Sequence, residues 1–151
     1  MTTEAPAFSI RPAKADDLNK LFIIHKAALG EYIAATWGWD DAWQFDFFRE
    51  HCRPEVRSVI EVKGQSVGFI DLAERDGCIW LDNIEIDPEH QGNGIGTAII
   101  KDLIARARAT RVRLRLQVLK VNKRAEALYK RLGFRQIDET VTHLVMEHRA
   151  T

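Results

Sequence analysis

The stretch DPEHQGNGIG, residues 87–96, places three glycines, Gly92, Gly94 and Gly96, between a predicted strand and a predicted helix. The first amides of a helix have no partner within it and lie at the positive end of its dipole, so they attract anions. Glycines let such amides approach a ligand without an intervening Cβ. The stretch therefore predicts a cradle for a pyrophosphate, with a glycine-rich turn that binds no ligand as the alternative.

Two common phosphate-binding loops do not fit this stretch. The dinucleotide fingerprint GxGxxG fails because Thr97 stands where its last glycine belongs. The Walker loop fails because no Gly-Lys-Ser/Thr sequence is present at the glycines. The pattern that fits is Q/R-x-x-G-x-G/A. It predicts contacts with a pyrophosphate-bearing ligand at Gln91, Gly92, Asn93, Gly94, Ile95, Gly96 and Thr97.

Hydrophobic periodicity predicts the elements that position this loop. Along the chain we expect one strand, two helices, three strands, a helix, a strand, a helix and two strands. Gly30 is predicted to end the first helix, and Asp40 to cap the second, with Trp43, Phe47 and Phe48 on one side. This order predicts a mixed α/β fold around one sheet.

The strand before the loop, WLDNIEI, has an irregular pattern. Its apolar positions Leu81, Ile84 and Ile86 change parity, so a regular strand cannot place all three on one face. A β-bulge near Asp82 and Asn83 is the predicted repair, and it would free backbone groups for a ligand.

Length and composition limit the class of protein. The 151 residues are the size of one domain, predicted to span 1–151, and 46% hydrophobic residues are typical of a globular chain. No window of about 18 uninterrupted apolar residues occurs, and the N-terminal MTTEAPAFSI has no basic region followed by an apolar run. We expect a cytoplasmic protein that does not act at membranes.

Charge and cysteine content limit the ligands. The net charge is zero, which argues against a nucleic-acid binder. Between Lys101 and Arg135 there are twelve Lys or Arg and two acidic residues, and such a basic segment suits a small polyanion. Cys52 and Cys78 match no CxxC or zinc spacing, so we expect reduced, buried thiols and no metal site.

The loop and its flanks together resemble the GCN5-related N-acetyltransferase (GNAT) superfamily. The resemblance lies in the glycine loop, the strand LDNIEIDPEH before it, the strand RLQVLKVN after it and the helix NKRAEALYKRLGF. It implies an α/β GNAT fold with a single mixed, mostly antiparallel sheet. About seven strands, splayed between strands 4 and 5, and about four flanking helices are expected.

The resemblance also implies an activity. The expected enzyme is an N-acetyltransferase that moves an acetyl group from acetyl-CoA, its co-substrate, to a primary amine of a small molecule or peptide. Transfer is expected by direct attack in a ternary complex, in a monomer or homodimer and without a metal. The alternative is a non-catalytic acyl-CoA-binding sensor with the same fold.

Site residues follow from the resemblance. The backbone of Ile84, Glu85 and Ile86 would bind the pantetheine arm, and the amide of Ile86 or its neighbour would stabilise the oxyanion. Tyr129 would bind the cofactor and protonate the leaving thiolate, with an ordinary core tyrosine as the alternative. Asn122 would be a helix N-cap, a cofactor contact, or both.

The sequence leaves open which residue acts as the general base. An alkylammonium with a pKa of about 10.4 is almost wholly protonated at neutral pH, so a base or desolvation is needed. Histone-acetylating members carry a glutamate where this chain has Trp80. Glu85 and Asp82 are the nearest carboxylates, acting through water, and His143 is a third option. Each carboxylate also fits a plain surface residue, and His25 has no partner spacing that singles it out.

Acceptor recognition is expected in GEYIAATWGWDDAW, predicted to connect the first two helices. Its candidate acceptor-binding residues are Glu31, Tyr32, Trp37 and Trp39. Aromatic faces beside carboxylates suit a cationic amine. The alternative is that these aromatic residues only pack the helices together.

Overall fold

The computed structural model describes residues 6–148, so the first five residues of the MTTEAPAFSI stretch lie outside it. Its helices are α1 (Leu18–Trp37), α2 (Asp41–Glu50), α3 (Ile95–Thr110) and α4 (Lys123–Arg131). Its strands are β1 (Ser9–Pro12), β2 (Arg57–Val62), β3 (Gln65–Arg75), β4 (Cys78–Ile86), β5 (Arg113–Leu119), β6 (Phe134–Glu139) and β7 (His143–His148). The order of helices and strands is the predicted one.

The strands form one sheet in the order β1-β2-β3-β4-β5-β7-β6. The pairs β1–β2, β2–β3, β5–β7 and β6–β7 are antiparallel, whereas β4 and β5 are parallel. The parallel register runs from Cys78↔Arg113 to Leu81↔Leu116. It covers the first half of β4, and the sequence predicted that these two strands part beyond it. The mixed sheet confirms the predicted fold class.

The chain divides into two compact units. Unit 1 is the chain up to Asp71 together with Ile84–Gly96, and unit 2 is Leu72–Asn83 together with the chain from Thr97. The core of unit 1 is a cluster of buried residues from its two helices and first strands: Ala13, Leu21, Ile24, Phe48, Val59 and Phe69. The single domain over 1–151 stays a prediction.

Unit 2 is built on regular apolar patterns. In α3 the buried residues Ile99, Leu103 and Ala107 recur at four-residue spacing, as the sequence predicted. In β5, Leu114 and Leu116 are buried and alternate with less buried residues. The helix period of 3.6 and the strand period of 2 thus give each element one apolar face.

The first two helices differ from the prediction in two respects. Gly30 does not end α1; the helix continues to Trp37 and ends at Gly38, whose φ is 83°. A glycine inside a helix costs only about 1 kcal/mol relative to alanine, and the burial of Ile33 beyond it favours continuation. Asp40 caps α2 as predicted, accepting a hydrogen bond from the amide of Trp43 at 2.9 Å.

The predicted apolar side of α2 is partly wrong. Phe48 is buried, but Trp43 and Phe47 are 59% and 47% exposed and stack on each other with ring centroids 5.2 Å apart. The buried position beside Phe48 belongs to Gln44. Of the two free cysteines, Cys78 is buried and Cys52 is half-buried.

Candidate active site

The glycine loop has the geometry of a ligand cradle. It follows a short 3-10 turn at Pro88–His90 and leads directly into α3. Gly92 and Gly94 have φ values of 79° and 92°, which residues with a Cβ rarely adopt. Gln91 closes the base of the loop, because its Nε2 donates a hydrogen bond to the carbonyl of Ile86 at 2.7 Å. The loop is thereby joined to the end of β4.

The residues of the loop fit a diphosphate. Gly92 is exposed, and Asn93, Gly94 and Gly96 are half-buried, so the loop backbone before α3 is accessible within unit 1. Thr97, the first residue of the second segment of unit 2, is also half-buried. A Cβ at Gly96 would contact Ile86 Cδ1 at 3.4 Å. Small residues at these positions keep side chains away from amides that a phosphate would approach. Ile95 differs from its neighbours because it is buried and serves packing.

The end of β4 is held tightly against β3. A Cβ on Gly68 would overlap the carbonyl oxygen of Glu85 and lie 3.1 Å from Ile86 Cα. The amide of Asp87 donates to the carbonyl of Val67 at 2.8 Å. Gly68 therefore fixes the backbone of the segment predicted to bind pantetheine. Gly68 was not among the residues predicted for the site, although a glycine within an apolar strand indicates close backbone approach.

Burial along β4 differs from the predicted pattern. Leu81 and Glu85 are buried, whereas Ile84 and Ile86 are half-buried. An acidic residue thus occupies the most buried position at the end of this strand. The bulge near Asp82 and Asn83 stays a prediction.

Glu85 is not a surface carboxylate. Its residue is 3% exposed, and its Oε1 lies 2.7 Å from Nδ1 of His25 on α1. Burial raises the pKa of Glu85, and the hydrogen bond from His25 opposes that rise. Sequence reasoning missed His25 because 60 residues separate the two partners, and no local spacing reports such a contact.

Asp82 is held in unit 2 by an arginine. Its two carboxylate oxygens accept from Arg75 Nη1 and Nη2, each at 2.8 Å. Trp80, at the place of the family glutamate, has the guanidinium carbons of Arg75 and Arg115 at 5.0 and 5.8 Å from its ring centroid. These contacts give Asp82 a structural partner, and its predicted role as a base stays a prediction.

Helix α4 presents Asn122 and Tyr129. Asn122 Oδ1 accepts from the amide of Ala125 at 3.1 Å, which confirms the predicted N-cap. Tyr129 is 8% exposed and meets Phe134 edge to face, with ring centroids 5.9 Å apart. Burial lowers the pKa of His143, the third candidate base, and its Nδ1 lies 2.8 Å from Thr142 Oγ1.

The predicted acceptor segment is mostly helical, which corrects its interpretation as a connection. Glu31, Tyr32 and Trp37 lie on the last turns of α1, and Glu31 and Trp37 are exposed. Trp39 lies in the short connection to α2, with its ring 6.1 Å from those of Phe22 and His25. Trp39 is thus the acceptor candidate that lies beside the His25–Glu85 pair.

Metal-binding clusters and membrane-spanning helices are absent from the part of the chain that the structure describes. Between residues 6 and 148, no group of three or more His, Cys, Asp or Glu side chains has a metal-binding arrangement. In the same range, no helix combines the length and apolar character needed to cross a membrane.

Comparison with known proteins identifies the relatives of this chain. The profile of the acetyltransferase (GNAT) family matches residues 21–134. An uncharacterised N-acetyltransferase of Methanocaldococcus jannaschii is 33% identical over 145 residues, 85% of this chain but only 61% of that protein. The thialysine N-epsilon-acetyltransferase of Sus scrofa is 44% identical over 150 residues, 86% of this chain and 85% of that protein.

A solved structure shares the fold. The PaiA N-acetyltransferase of Thermoplasma acidophilum, in complex with coenzyme A, superposes with a TM-score of 0.74 at 18% identity, over 95% of this chain and 99% of that one. Members of the matched family are acetyl-CoA-dependent acetyltransferases, the predicted class of enzyme and co-substrate. The chain belongs to the acetyltransferase (GNAT) family.

Proposed function

We propose that this protein transfers the acetyl group of acetyl-CoA to a primary amine of a small molecule, by direct attack in a ternary complex. The observation that carries the proposal is the loop at Gln91–Gly96, with two glycines at positive φ and a glutamine side chain bound to the end of β4. Backbone amides in this geometry bind a diphosphate. Acetyl-CoA and the amine are the proposed partners of a monomer or homodimer.

One relative favours a small amine over a peptide as the acceptor. The Sus scrofa protein acts on thialysine, as its name states, and matches 86% of this chain. Thialysine carries a primary amine at the end of a flexible chain. A cationic amine of this kind also suits the aromatic side chain of Trp39 and the carboxylates near α1.

Each part of the site has a proposed role in the reaction. The amides from Gly92 to Thr97 would bind the diphosphate, and the backbone from Ile84 to Ile86 would hold the thioester and stabilise the oxyanion. We propose Tyr129 as the proton donor to the departing thiolate and Asn122 as a further cofactor contact. These roles rest on the family resemblance and on the accessible backbone of unit 1.

The proposal is tested by incubating the protein with acetyl-CoA and a panel of amines, including thialysine, lysine, spermidine and a peptide with a free amino terminus. Mass spectrometry of the products should show one acetyl group added to at least one small amine. Intact-mass analysis without an acceptor should show no acetylated protein, as expected for direct transfer. Acetylation of the peptide alone would overturn the choice of a small-molecule acceptor.

A non-catalytic sensor is the competing function, and Trp80 at the place of the family glutamate is the observation in its favour. The same panel separates the two functions. Tight coenzyme A binding without an acetylated product from any amine would support the sensor and contradict the transferase.

A further inference from the structure

The carboxylate of Glu85 and the imidazole of His25 form a buried pair within unit 1. The Glu85 side chain is 2% exposed and that of His25 is 13% exposed. The His25 side chain is therefore the more solvent-exposed member of the pair. Because Nδ1 is hydrogen-bonded to Glu85, Nε2 is the ring nitrogen that can exchange a proton with a ligand.

Aromatic rings fix the orientation of this imidazole. His25 stacks on Phe48, with centroids 4.9 Å apart and planes at 30°, and the Phe69 ring centroid lies 6.5 Å away. Phe22 and Trp39 complete the surroundings at 6.3 and 6.1 Å. The ring is thus held by packing as well as by Glu85, which is the arrangement needed for a group that acts on a bound substrate.

The other charged groups near the pair are already engaged with each other. Arg57 donates from Nε and Nη2 to the two oxygens of Asp71 at 2.7 and 2.8 Å, and its guanidinium lies 4.3 Å from the Phe48 ring. Asp71 raises the pKa of Glu85 and Arg57 lowers it. Cys52 lies near Arg57. His25 is the side chain that forms a direct hydrogen bond with the Glu85 carboxylate, at 2.7 Å.

A purely structural explanation accounts poorly for this pair. Burying two ionisable groups usually contributes no more stability than apolar side chains of similar size. Glu85 also interrupts an otherwise apolar strand end, between Ile84 and Ile86, directly where the thioester is proposed to bind. A titratable pair in such a place is typical of acid–base chemistry.

We propose that His25 is the base that deprotonates the acceptor ammonium, and that Glu85 is the positioning residue that orients its ring. This inference rests on the proposed acetyl transfer. The acceptor class it requires is a primary alkylammonium, which must lose a proton before it can attack. Trp39 would form the neighbouring aromatic wall.

The proton transfers balance as follows. The ammonium N–H bond breaks, and the proton moves to Nε2 of His25, giving an imidazolium stabilised by Glu85. The neutral amine then forms the C–N bond with the thioester carbonyl carbon, and the C–S bond breaks. As the C–S bond breaks, Tyr129 would give its hydroxyl proton to the thiolate and take up the second proton that leaves the nitrogen, so its hydroxyl is restored. His25 finally releases its proton to solvent, so the reaction yields amide, thiol and one proton.

The experiment measures kcat/KM against pH for the wild type, His25→Ala and Glu85→Gln, with an amine identified by the panel. His25→Ala should lower kcat/KM by about 10²- to 10⁴-fold, because a positioned base contributes that much. Added imidazole should restore part of the activity of His25→Ala. Affinity for coenzyme A should stay unchanged, since His25 acts on the acceptor.

Glu85→Gln keeps the shape of the side chain and a hydrogen-bond acceptor for Nδ1. It removes the negative charge that stabilises the imidazolium, so the acid limb of the pH–rate profile should move to lower pH. If the pair had only a structural role, Glu85→Gln would leave this acid limb in place, and imidazole would not restore activity to His25→Ala. An unchanged limb in folded Glu85→Gln would overturn the inference, and it decides the case even if His25→Ala fails to fold.

His51→Ala is the matched control, because His51 is an exposed histidine on the end of α2 stacked on Phe47. Its kcat/KM should equal that of the wild type. If the wild type acetylates no amine, both the proposed function and this inference fail. If the wild type is active and His25→Ala retains its rate and pH profile, the inference alone fails.

Discussion

At the scale of single residues, glycine in the loop determines whether the backbone amides can bind a diphosphate. Gly94 has a φ of 92°, and the loop amides can meet a diphosphate only while no side chain stands in their way. Gly94→Val should therefore abolish coenzyme A binding, measured by isothermal titration calorimetry. Gly77→Val is the matched control, since Gly77 also has a positive φ, 70°, but lies in the turn between β3 and β4.

The control variant should lose stability through backbone strain while it still binds coenzyme A. If Gly94→Val bound coenzyme A with unchanged affinity, the cradle would be the wrong interpretation of the loop.

The hydroxyl of Tyr129 is the proposed proton donor, and its removal should affect turnover. Tyr129→Phe keeps the buried ring that meets Phe134 but removes the hydroxyl. Turnover should fall by about 10²-fold or more, as expected for loss of a positioned proton donor, with a much smaller change in coenzyme A affinity. Steady-state kinetics and calorimetry together separate these effects. Equal losses in both would show that Tyr129 is a core residue.

At the scale of elements, local patterns predicted the strands and helices well. The alternation of Leu114 and Leu116 and the four-residue spacing of Ile99 and Leu103 are properties of single elements, so sequence alone reports them. The end of α1 was misjudged at Gly30 because a glycine only weakly disfavours a helix, and packing of distant residues decides.

The N-cap of α4 gives a prediction at the scale of elements. Asn122 and Asp40 both accept a hydrogen bond from an amide of the first helical turn, at 3.1 and 2.9 Å. Replacing either by alanine should lower the free energy of unfolding by about 1 kcal/mol in urea titrations. Only Asn122→Ala should also weaken coenzyme A binding. Equal affinities in the two variants would make Asn122 a structural cap alone.

At the scale of the whole molecule, contacts between residues that are far apart in sequence could not be predicted from sequence patterns. The loop was predictable because Gln91, Gly94 and Gly96 are close in sequence. The His25–Glu85 pair was not, because a helix and a strand 60 residues apart must fold together to form it. The same reason applies to Arg57 and Asp71, which the pairing of β2 with β3 brings within hydrogen-bond distance.

The pH dependence of stability tests a long-range contact in unit 2. Glu147 is 1% exposed and accepts from Arg115 Nε at 2.7 Å and Arg113 Nη1 at 3.2 Å. Burial favours the neutral acid, but the two arginines prevail and hold the pKa of Glu147 below its ordinary value of 4.5. Its carboxylate therefore stabilises the fold above that pH, and this stability is lost as pH falls through the lowered pKa.

Arg115→Met should lower the free energy of unfolding at pH 7 and reduce its further decline below pH 4.5, measured by urea titration at a series of pH values. Arg106→Met is the control, because its ion pair with Glu74 is exposed and weak. The same decline in Arg115→Met as in the wild type would contradict this explanation.

The most direct test of the whole account is the rate at which free thiol appears from acetyl-CoA with and without a primary amine. We predict thiol release that requires the amine, saturates with it and equals the amount of acetylated amine formed. Coenzyme A binding with no amine-dependent release of thiol would contradict the account.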